Sequence, residues 1–296
     1  MGVQYLSYQQ IDKQKWDACI DDAHNGLVYA YTFYLDGMAK HWDALVLDDY
    51  EAVMPLPWNK KFGITYLYTP PFIQQLGIFS KTKVSDAIQH SFVTAARQRF
   101  RFAELFVNIN CGAAQPNYIL PLHNNYQLLR AGYKTTLLKS IKHAARFNIK
   151  YEEEFETDTA INLYQSNYAS RVPHIKEQDY TNFIKVCEAA KFKNGLVIRK
   201  VTGDNGHIMA IVLLLKDNKR LYNIISAVTA PGRQCEASYF LYDQLIAEFS
   251  EGGLTLDFEG SSIESIAGFY RKFGAVNEPY YFLRYNDLPW PVKLFK

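Results

Sequence analysis

The stretch 254–274 contains the side chains best suited to acid–base chemistry. Asp257 and Glu259 are the polar members of an alternating pattern, so one face of a predicted strand carries two carboxylates. Either carboxylate could take a proton from a bound amine, and Glu259 is preferred because it lies nearer the end of the strand. Alternatively, both accept hydrogen bonds from the backbone or from arginine at the sheet edge. Tyr270 follows in a helical pattern that would equally suit core packing, because it shares a stripe with Ile263, Ile266 and Ala267.

The elements around these residues would bring them together at the end of a strand. Gly260 turns the chain, and Ser261 with Glu264 three residues later is typical of a capping box at a helix start. Gly274 stands where a left-handed residue commonly ends a helix. Open α/β sheets bind ligands at the carboxyl ends of their strands, where helix-start N–H groups attract anions. We therefore expect Ser261 and Ser262 to contribute to a substrate or phosphate site.

The composition is that of a globular protein without a strong electrostatic preference. The 296 residues are 48% hydrophobic and 21% charged, which allows one large domain or two smaller ones with ample cores. A net charge of +2 gives no reason to expect binding to nucleic acid or membrane. The four cysteines and seven histidines lack the spacing of metal ligands, so no metal site is predicted.

The cysteine usage and the chain start also bear on location. Scattered cysteines favour a reduced, cytoplasmic protein. The first ten residues lack the basic and apolar blocks of a signal peptide. The longest apolar run, Ile208–Leu215, is far shorter than the ~20 residues that span a bilayer, so no membrane insertion is expected. The oligomeric state stays open.

The order of predicted elements repeats along the chain. A strand hairpin, a longer connection, a helix and a strand occupy residues 44–110 and again residues 197–259. This repeat predicts a mixed α/β (α+β) fold of two modules, with residues 1–152 in the first and 153–296 in the second. Two or three short strands are expected through Tyr126–Leu138. The last strand, Tyr280–Tyr285, completes the fold and could pack back toward the first module.

Two further groups of polar residues could bind a substrate. A predicted helix over 139–148 has one basic face, formed at helical spacing by Lys139, Lys142, His143 and Arg146. That face is either exposed to solvent or a binding site for phosphate groups, because a bound anion would reduce the repulsion between four neighbouring cations. Gln74 and Gln75 interrupt an apolar run, where their amides either recognise a substrate or satisfy backbone groups in a buried loop.

The second module resembles the GNAT acyltransferase fold in its order of elements and in one motif. A hairpin and the segment 229–238 lead to a long helix, a strand and a short helix that ends in Tyr270-x-x-x-Gly274. The resemblance implies an acyl-CoA such as acetyl-CoA as donor, with Tyr270 protonating the departing thiolate. It also implies that the turn beginning at Arg233 holds pyrophosphate. Glu236 departs from the pattern, because a carboxylate replaces an expected glycine there and would repel the phosphates.

The tandem arrangement resembles the Fem-type family. Two GNAT-like modules, a Lys-rich helix at the end of the first and an Asp257-Phe258-x-Gly260 element before the last helix occur in that order. The resemblance implies an aminoacyl-tRNA donor and a phosphorylated or nucleotide-linked acceptor. Two departures weaken the tRNA donor: Tyr270 stands where many members have lysine, and the chain has no room for their coiled-coil arm.

Two hypotheses of different classes follow. In the first, the protein is an acyl or aminoacyl transferase in which an amine attacks an activated acyl group. Glu259 or Asp257 takes the proton, and Tyr270 assists the leaving group or orients the carbonyl. In the second, the protein is a non-catalytic ligand-binding protein that keeps the GNAT-like fold, which the irregular segment 233–238 favours.

Overall fold

A computed structural model describes residues 2–290 and residue 293. Its strands are β1 (Val3–Leu6), β2 (His41–Leu47), β3 (Ala52–Lys61), β4 (Ile64–Tyr68), β5 (Phe79–Ser80), β6 (Phe102–Val107), β7 (Ala113–Gln115), β8 (Tyr118–Pro121), β9 (Lys150–Glu153), β10 (Leu196–Thr202), β11 (Ile208–Lys216), β12 (Arg220–Val228), β13 (Thr255–Asp257), β14 (Val276–Asn277) and β15 (Tyr280–Asn286). Its α-helices are α1 (Lys13–Asp22), α2 (Thr32–Met38), α3 (Asp86–Arg99), α4 (Tyr126–Ala131), α5 (Thr135–Ala144), α6 (Thr157–Tyr168), α7 (Glu177–Lys191), α8 (Ala230–Gln234), α9 (Ala237–Phe249) and α10 (Glu264–Lys272).

The chain forms two compact units. The first contains the described residues of 1–115 and of 279–296, and the second contains residues 116–278. The sequence placed the division at 152/153 instead. The segment 116–152 lies with the second unit because β8 pairs with β13 and β14, and because α5 packs on α9. The strand β15 pairs with β6 and β7 of the first unit.

The first unit is built on one sheet in the order β1-β2-β3-β4-β6-β15-β7, with β5 paired to β3. The strands β2, β3 and β4 form an antiparallel meander, and β4 then pairs in parallel with β6. The connection between these parallel strands contains α3, whose Phe92 and Ala96 are fully buried against the sheet. A helix is the usual way to return the chain to a parallel partner.

The second unit repeats this plan in the order β14-β8-β13-β12-β11-β10-β9. The strands β10, β11 and β12 form an antiparallel meander, and β12 pairs in parallel with β13 after α8 and α9. The central strand β11 is apolar at successive positions because both of its faces are buried. Ala210, Val212 and Leu214 pack in one core with α9, and the intervening Ile211 and Leu213 are also fully buried. The predicted mixed fold of two repeated modules is confirmed.

The short strands expected through Tyr126–Leu138 are wrong. The structure has α4 and the start of α5 there, and the Asn125 side chain caps α4 by accepting a hydrogen bond from Leu128 N at 3.0 Å. Leu129 and Leu137 point into the second core, which fixes the helical faces. Helix α5 ends at Ala144, four residues before the predicted end at residue 148.

The left-handed helix end predicted at Gly274 is confirmed, since its φ is +84°. We expect Gly274→Ala to destabilise the fold by about 1–2 kcal/mol, because an L-residue is strained there. The added Cβ would also lie 3.3 Å from the carbonyl oxygen of Gly132. Urea unfolding followed by circular dichroism measures this. Gly268→Ala inside α10 is the matched control: its Cβ would meet nothing within 3.8 Å, and it should instead stabilise by about 0.5–1 kcal/mol. Equal effects at the two glycines would contradict the argument from φ.

Candidate active site

The candidate site lies in the second unit, where one edge of β12 is left open. The parallel pairing of β12 with β13 covers only three residue pairs and ends at Tyr222 opposite Asp257. The strand β12 continues to Val228 while still paired with β11 on its other side. Among the described residues, 223–228 of β12 therefore have no strand partner on the β13 side. Backbone N–H and C=O groups at such an edge can bind an extended ligand.

Asp257 stands at this junction, but its carboxylate is engaged within the protein. The residue is 1% exposed, and its Oδ2 accepts hydrogen bonds from Arg220 Nη1 at 3.0 Å and Asn117 Nδ2 at 3.2 Å. Its Oδ1 accepts a hydrogen bond from Glu259 N at 3.0 Å. Burial raises the pKa of the Asp257 carboxyl, and the Arg220 guanidinium opposes that rise. These contacts suit a positioning role, because a buried, ion-paired carboxylate cannot reach a substrate amine.

Glu259 is the carboxylate that these contacts hold in place. Its backbone has a φ of +65°, and Gly260 after it has a φ of +63°. A glutamate in this left-handed conformation is uncommon, and the hydrogen bond from its N–H to Asp257 stabilises it. Glycine is required next in the chain, since a Cβ at 260 would lie 2.3 Å from the carbonyl oxygen of Pro116. The half-buried Glu259 thus lies at the start of the turn that leads away from the open edge.

Tyr270 comes from α10 and packs against the residue between the two carboxylates. Its ring stacks on Phe258 at a centroid distance of 4.6 Å, and the residue is 8% exposed. Burial raises the pKa of the Tyr270 phenol well above its ordinary value of 10, and the charges of Glu259 and Asp257 add to the rise. The phenol is therefore protonated at neutral pH and is available only as a proton donor. The core packing expected for Tyr270 and an acid role are compatible here.

The capping box predicted at Ser261 and Glu264 is wrong. Helix α10 starts at Glu264, and its N-cap Ile263 makes no side-chain cap. The Ser261 hydroxyl instead accepts a hydrogen bond from Ile263 N at 3.0 Å, and Glu264 forms an ion pair with Arg271. Ser262 is exposed in the same turn. Both serines thus lie between Glu259 and the start of α10.

The segment implied to hold pyrophosphate is closed by a short helix. Thr229 caps α8 by accepting a hydrogen bond from Gly232 N at 3.1 Å, and Arg233 Nη1 donates to the Val228 carbonyl at 2.9 Å. Glu236 is left-handed, with a φ of +55°, and its carboxylate is directed to α5. There it accepts a hydrogen bond from Ser140 Oγ at 2.7 Å and lies 3.0 Å from His143 Nδ1.

The basic face of α5 therefore lies beside this segment. Lys139 and Lys142 are exposed and make no ion pair with any residue that the structure describes, whereas His143 is paired with Glu236. Arg146 follows the end of the helix and lines an open cavity of about 590 Å³ together with Asn148, Gln234 and Cys235. Pro231 of α8 also lines the cavity, so Arg146 and part of the segment 229–236 share one concave surface, which Asp204 lines as well. These residues of the second unit could hold the phosphates of a ligand.

Gln74 and Gln75 belong to the first unit, and the candidate site of the second unit is built without them. Gln75 is buried and donates its side-chain N–H to Gln74 Oε1 at 3.0 Å. They follow Phe72, which has a φ of +59° in this loop.

Sequence reasoning missed the polar residues that surround the carboxylates. Arg220 bridges Asp257 and Glu278, with Nη1 2.6 Å from Glu278 Oε2. Asn223 is buried on β12 at the first position beyond the parallel pairing. The signal for Asn223 was a polar residue within a largely apolar strand, LYNIISAV. For Arg220 no local signal exists, because its partners Asp257 and Glu278 are distant in the sequence.

Solved structures share this architecture along almost the whole chain. The crystal structure of FemX matches with a TM-score of 0.68 and 11% identity, over 96% of this chain and 98% of that one. The C-terminal domain of a putative lysylphosphatidylglycerol synthetase from Agrobacterium fabrum matches with a TM-score of 0.58 and 13% identity, over 96% and 94%. A tandem GNAT protein from the clavulanic acid biosynthesis pathway matches with a TM-score of 0.51 and 11% identity, over 97% and 99%. No protein-family model and no curated protein matches the sequence.

The chain has a Fem-like tandem GNAT fold. This assignment agrees with the geometry, because each unit has an antiparallel meander followed by a parallel strand after a helix. Identities of 11–13% establish the fold alone.

Two further observations concern the described residues. No group of three or more His, Cys, Asp or Glu side chains in residues 2–290 and 293 is arranged to hold a metal ion. None of the helices within this part of the chain combines the length and the hydropathy needed to cross a membrane.

Proposed function

We propose that the protein transfers an acyl or aminoacyl group from an activated donor to a primary amine. The amine nitrogen attacks the carbonyl carbon, a C–N bond forms, and the bond to the departing thiolate or alkoxide breaks. Glu259 accepts the proton that the amine loses, and Tyr270 donates its phenolic proton to the leaving group. Solvent then returns a proton to Tyr270 and removes the one on Glu259. Asp257 positions Glu259 without taking a proton itself.

The observation that carries this proposal is that the buried, protonated Tyr270 packs on Phe258, the residue before Glu259 at the end of β13. Phe258 contacts the Tyr270 ring, and Asp257 holds the backbone of Glu259, so the acid and the base are fixed from the same short segment. The open edge of β12 begins at the same level of the sheet. A donor lying along this edge would have its carbonyl near both groups, where backbone N–H groups could stabilise the oxyanion.

The donor is proposed to carry phosphate. Lys139, Lys142 and Arg146 on or just after α5, and Arg233 on α8, supply four cations near the segment 229–236. Acyl-CoA is our first candidate, because its pyrophosphate could lie against Arg146 and Arg233 while the thioester follows β12. Aminoacyl-tRNA is the second candidate, since its acceptor end offers the same phosphate chemistry. The acceptor amine is proposed to belong to a small or phosphorylated molecule in the cytoplasm.

The test offers both donors to the purified protein. Labelled acetyl-CoA or a mixture of labelled aminoacyl-tRNAs is incubated with a panel of primary amines, and amide products are detected by mass spectrometry. We expect one donor to give a time-dependent amide, and Glu259→Gln to form it at least about 100-fold more slowly. Glu264→Gln is the matched control, because that exposed glutamate lies on the first turn of α10 and pairs only with Arg271 among the described residues. Equal rates for wild type and Glu259→Gln would remove the base role.

A non-catalytic binding role is the second candidate function. The observation that favours it is α8, which fills the segment where a GNAT enzyme would present open backbone N–H groups, with Glu236 at the start of α9. In that case acetyl-CoA would bind saturably in a calorimetric titration, and no amide would form with any amine of the panel. Binding with turnover supports the enzyme, and binding alone supports this alternative.

A further inference from the structure

The first unit contains a separate cavity of about 430 Å³ at the end of its sheet where β1, β2 and β3 meet the last turn of α3. Its lining includes Tyr5, Lys40, His41, Trp42, Trp58 and Arg99. All of them belong to the first unit, so the cavity is distinct from the candidate active site of the second unit. Its function does not depend on the function proposed above.

The walls of the cavity are aromatic and planar. His41 and Trp58 are partners in the β2–β3 register, and their rings stack at 4.4 Å with an interplanar angle of 23°. Trp42 meets Tyr8 edge to face at 5.6 Å. Such surfaces favour a flat apolar ligand, because aromatic rings gain from offset or edge contacts with one another.

The carboxylates of the cavity are already bound within the protein. Asp43 is buried, and it accepts hydrogen bonds from Tyr5 OH at 2.6 Å and Tyr8 N at 2.9 Å. Asp36 accepts hydrogen bonds from Lys13 Nζ at 2.7 Å and Trp42 Nε1 at 3.0 Å. Neither acid is therefore available to hold a cationic ligand.

The groups that remain are donors. Trp58 Nε1 is shielded from solvent and has no hydrogen-bond partner in the part of the chain that the structure describes. Lys40 forms no ion pair within residues 2–290 and 293, and the Arg99 guanidinium lies over the Tyr5 ring at 4.9 Å. Lys40 and Arg99 balance Asp36 and Asp43, and Lys13 beside Asp36 leaves one positive charge in excess. This excess of positive charge favours an anionic ligand in the cavity.

We propose that this cavity binds a small aromatic carboxylate. The ring lies against the His41–Trp58 and Trp42 surfaces, and the carboxylate pairs with Lys40 and Arg99. Two observations support an anion over a cation: both acids are occupied, and the free groups are N–H donors. Two observations support a flat ligand: the stacked wall and the edge-on Tyr8–Trp42 pair.

Isothermal titration calorimetry of the full chain with 2-naphthoate tests the proposal, and neutral 2-naphthamide gives the matched ligand control. We expect saturable binding of the acid and binding of the amide weaker by roughly tenfold, because the amide lacks the charge that Lys40 and Arg99 attract. His41→Ala removes the exposed ring of the stacked wall, and it should weaken binding of the acid by roughly tenfold.

Two surface variants separate this cavity from other sites. Lys40→Met should weaken the acid by a similar factor, and Lys81→Met, at an exposed lysine of the same unit, should leave it unchanged. Neither lysine is in the core, so both variants should fold as wild type. The proposal is overturned if 2-naphthoate gives no saturable heat. It is also overturned if acid and amide bind equally, or if His41→Ala and Lys40→Met both bind the acid as wild type does.

Discussion

Tyr270→Phe is expected to lower kcat for acyl transfer by about 10²–10⁴-fold with little change in KM for the donor. The variant removes one hydroxyl and keeps the ring that stacks on Phe258 at 4.6 Å, so the fold should persist. A general acid acts only as charge develops on the leaving group, which is why the loss should appear in kcat. Steady-state kinetics with the donor identified by the amine panel measures the effect.

Tyr239→Phe is the matched control for this prediction. Tyr239 belongs to the same aromatic cluster, with its ring 4.8 Å from Phe269, but its hydroxyl accepts a hydrogen bond from Lys272 Nζ at 2.6 Å. Loss of that hydroxyl should change kcat by no more than a few-fold. If Tyr270→Phe and Tyr239→Phe behave alike, the hydroxyl of Tyr270 has no role as an acid.

The pH dependence gives a second readout of the same role. Burial and the neighbouring carboxylates raise the pKa of Tyr270 well above 10, so the phenol stays protonated across the neutral and mildly alkaline range. The wild-type rate should therefore show no decline from deprotonation of Tyr270 below about pH 10. A donor whose leaving group is itself more acidic should depend less on the phenol. Its rate should fall less on Tyr270→Phe.

The architecture could be predicted because the spacing of apolar residues along the chain indicates which faces of each element are buried. Alternating or continuous apolar residues mark β10, β11 and β12, since these strands bury one or both faces against a core. The repeat of meander, helix and parallel strand followed from the same patterns. The pattern failed over Tyr126–Leu138, where the second unit has short helices whose apolar residues are too few to distinguish a helical from a strand period.

The site was predicted in part, for a physical reason. An acidic residue in an alternating strand has the same local pattern whether it meets solvent, a ligand or a buried arginine. Asp257 meets Arg220, 37 residues away, and Asn117, 140 residues away, and no local signal reports such partners. The left-handed conformations of Glu236 and Glu259 could not be predicted from the sequence either, because usually only glycine or asparagine indicates a left-handed residue. The sequence therefore predicts this segment as a candidate site but not the contacts made within it.

Arg220→Met is expected to destabilise the second unit by about 3 kcal/mol at neutral pH. The variant keeps most of the apolar stem but leaves the Asp257 carboxylate, 1% exposed, without its 3.0 Å cationic partner. We expect a loss of stability at the low end of the usual range for a broken buried ion pair. The Arg220 side chain retains 17% exposure, and water can solvate the partly exposed Glu278 carboxylate once the arginine is removed. Urea unfolding monitored by circular dichroism measures the free energy of unfolding, and Arg284→Met, at an exposed ion pair of the first unit, should cost less than about 1 kcal/mol.

The direction in which the stability cost of Arg220→Met changes with pH tests whether the Asp257 carboxylate causes that cost. Burial raises the pKa of this carboxyl in the folded protein while Arg220 lowers it, so removal of the arginine raises it further. A carboxyl whose folded pKa exceeds its unfolded value favours folding at low pH, and that advantage is lost as the pH rises through the folded pKa. The cost of Arg220→Met should therefore be larger at pH 7.5 than at pH 5. Adding Asp257→Asn, which removes the uncompensated charge, should recover much of the loss at pH 7.5 and make the remaining cost independent of pH. A cost that stays the same at both pH values, and that Asp257→Asn does not relieve, would mean that Arg220 stabilises the unit through its stem rather than through the carboxylate that holds Glu259.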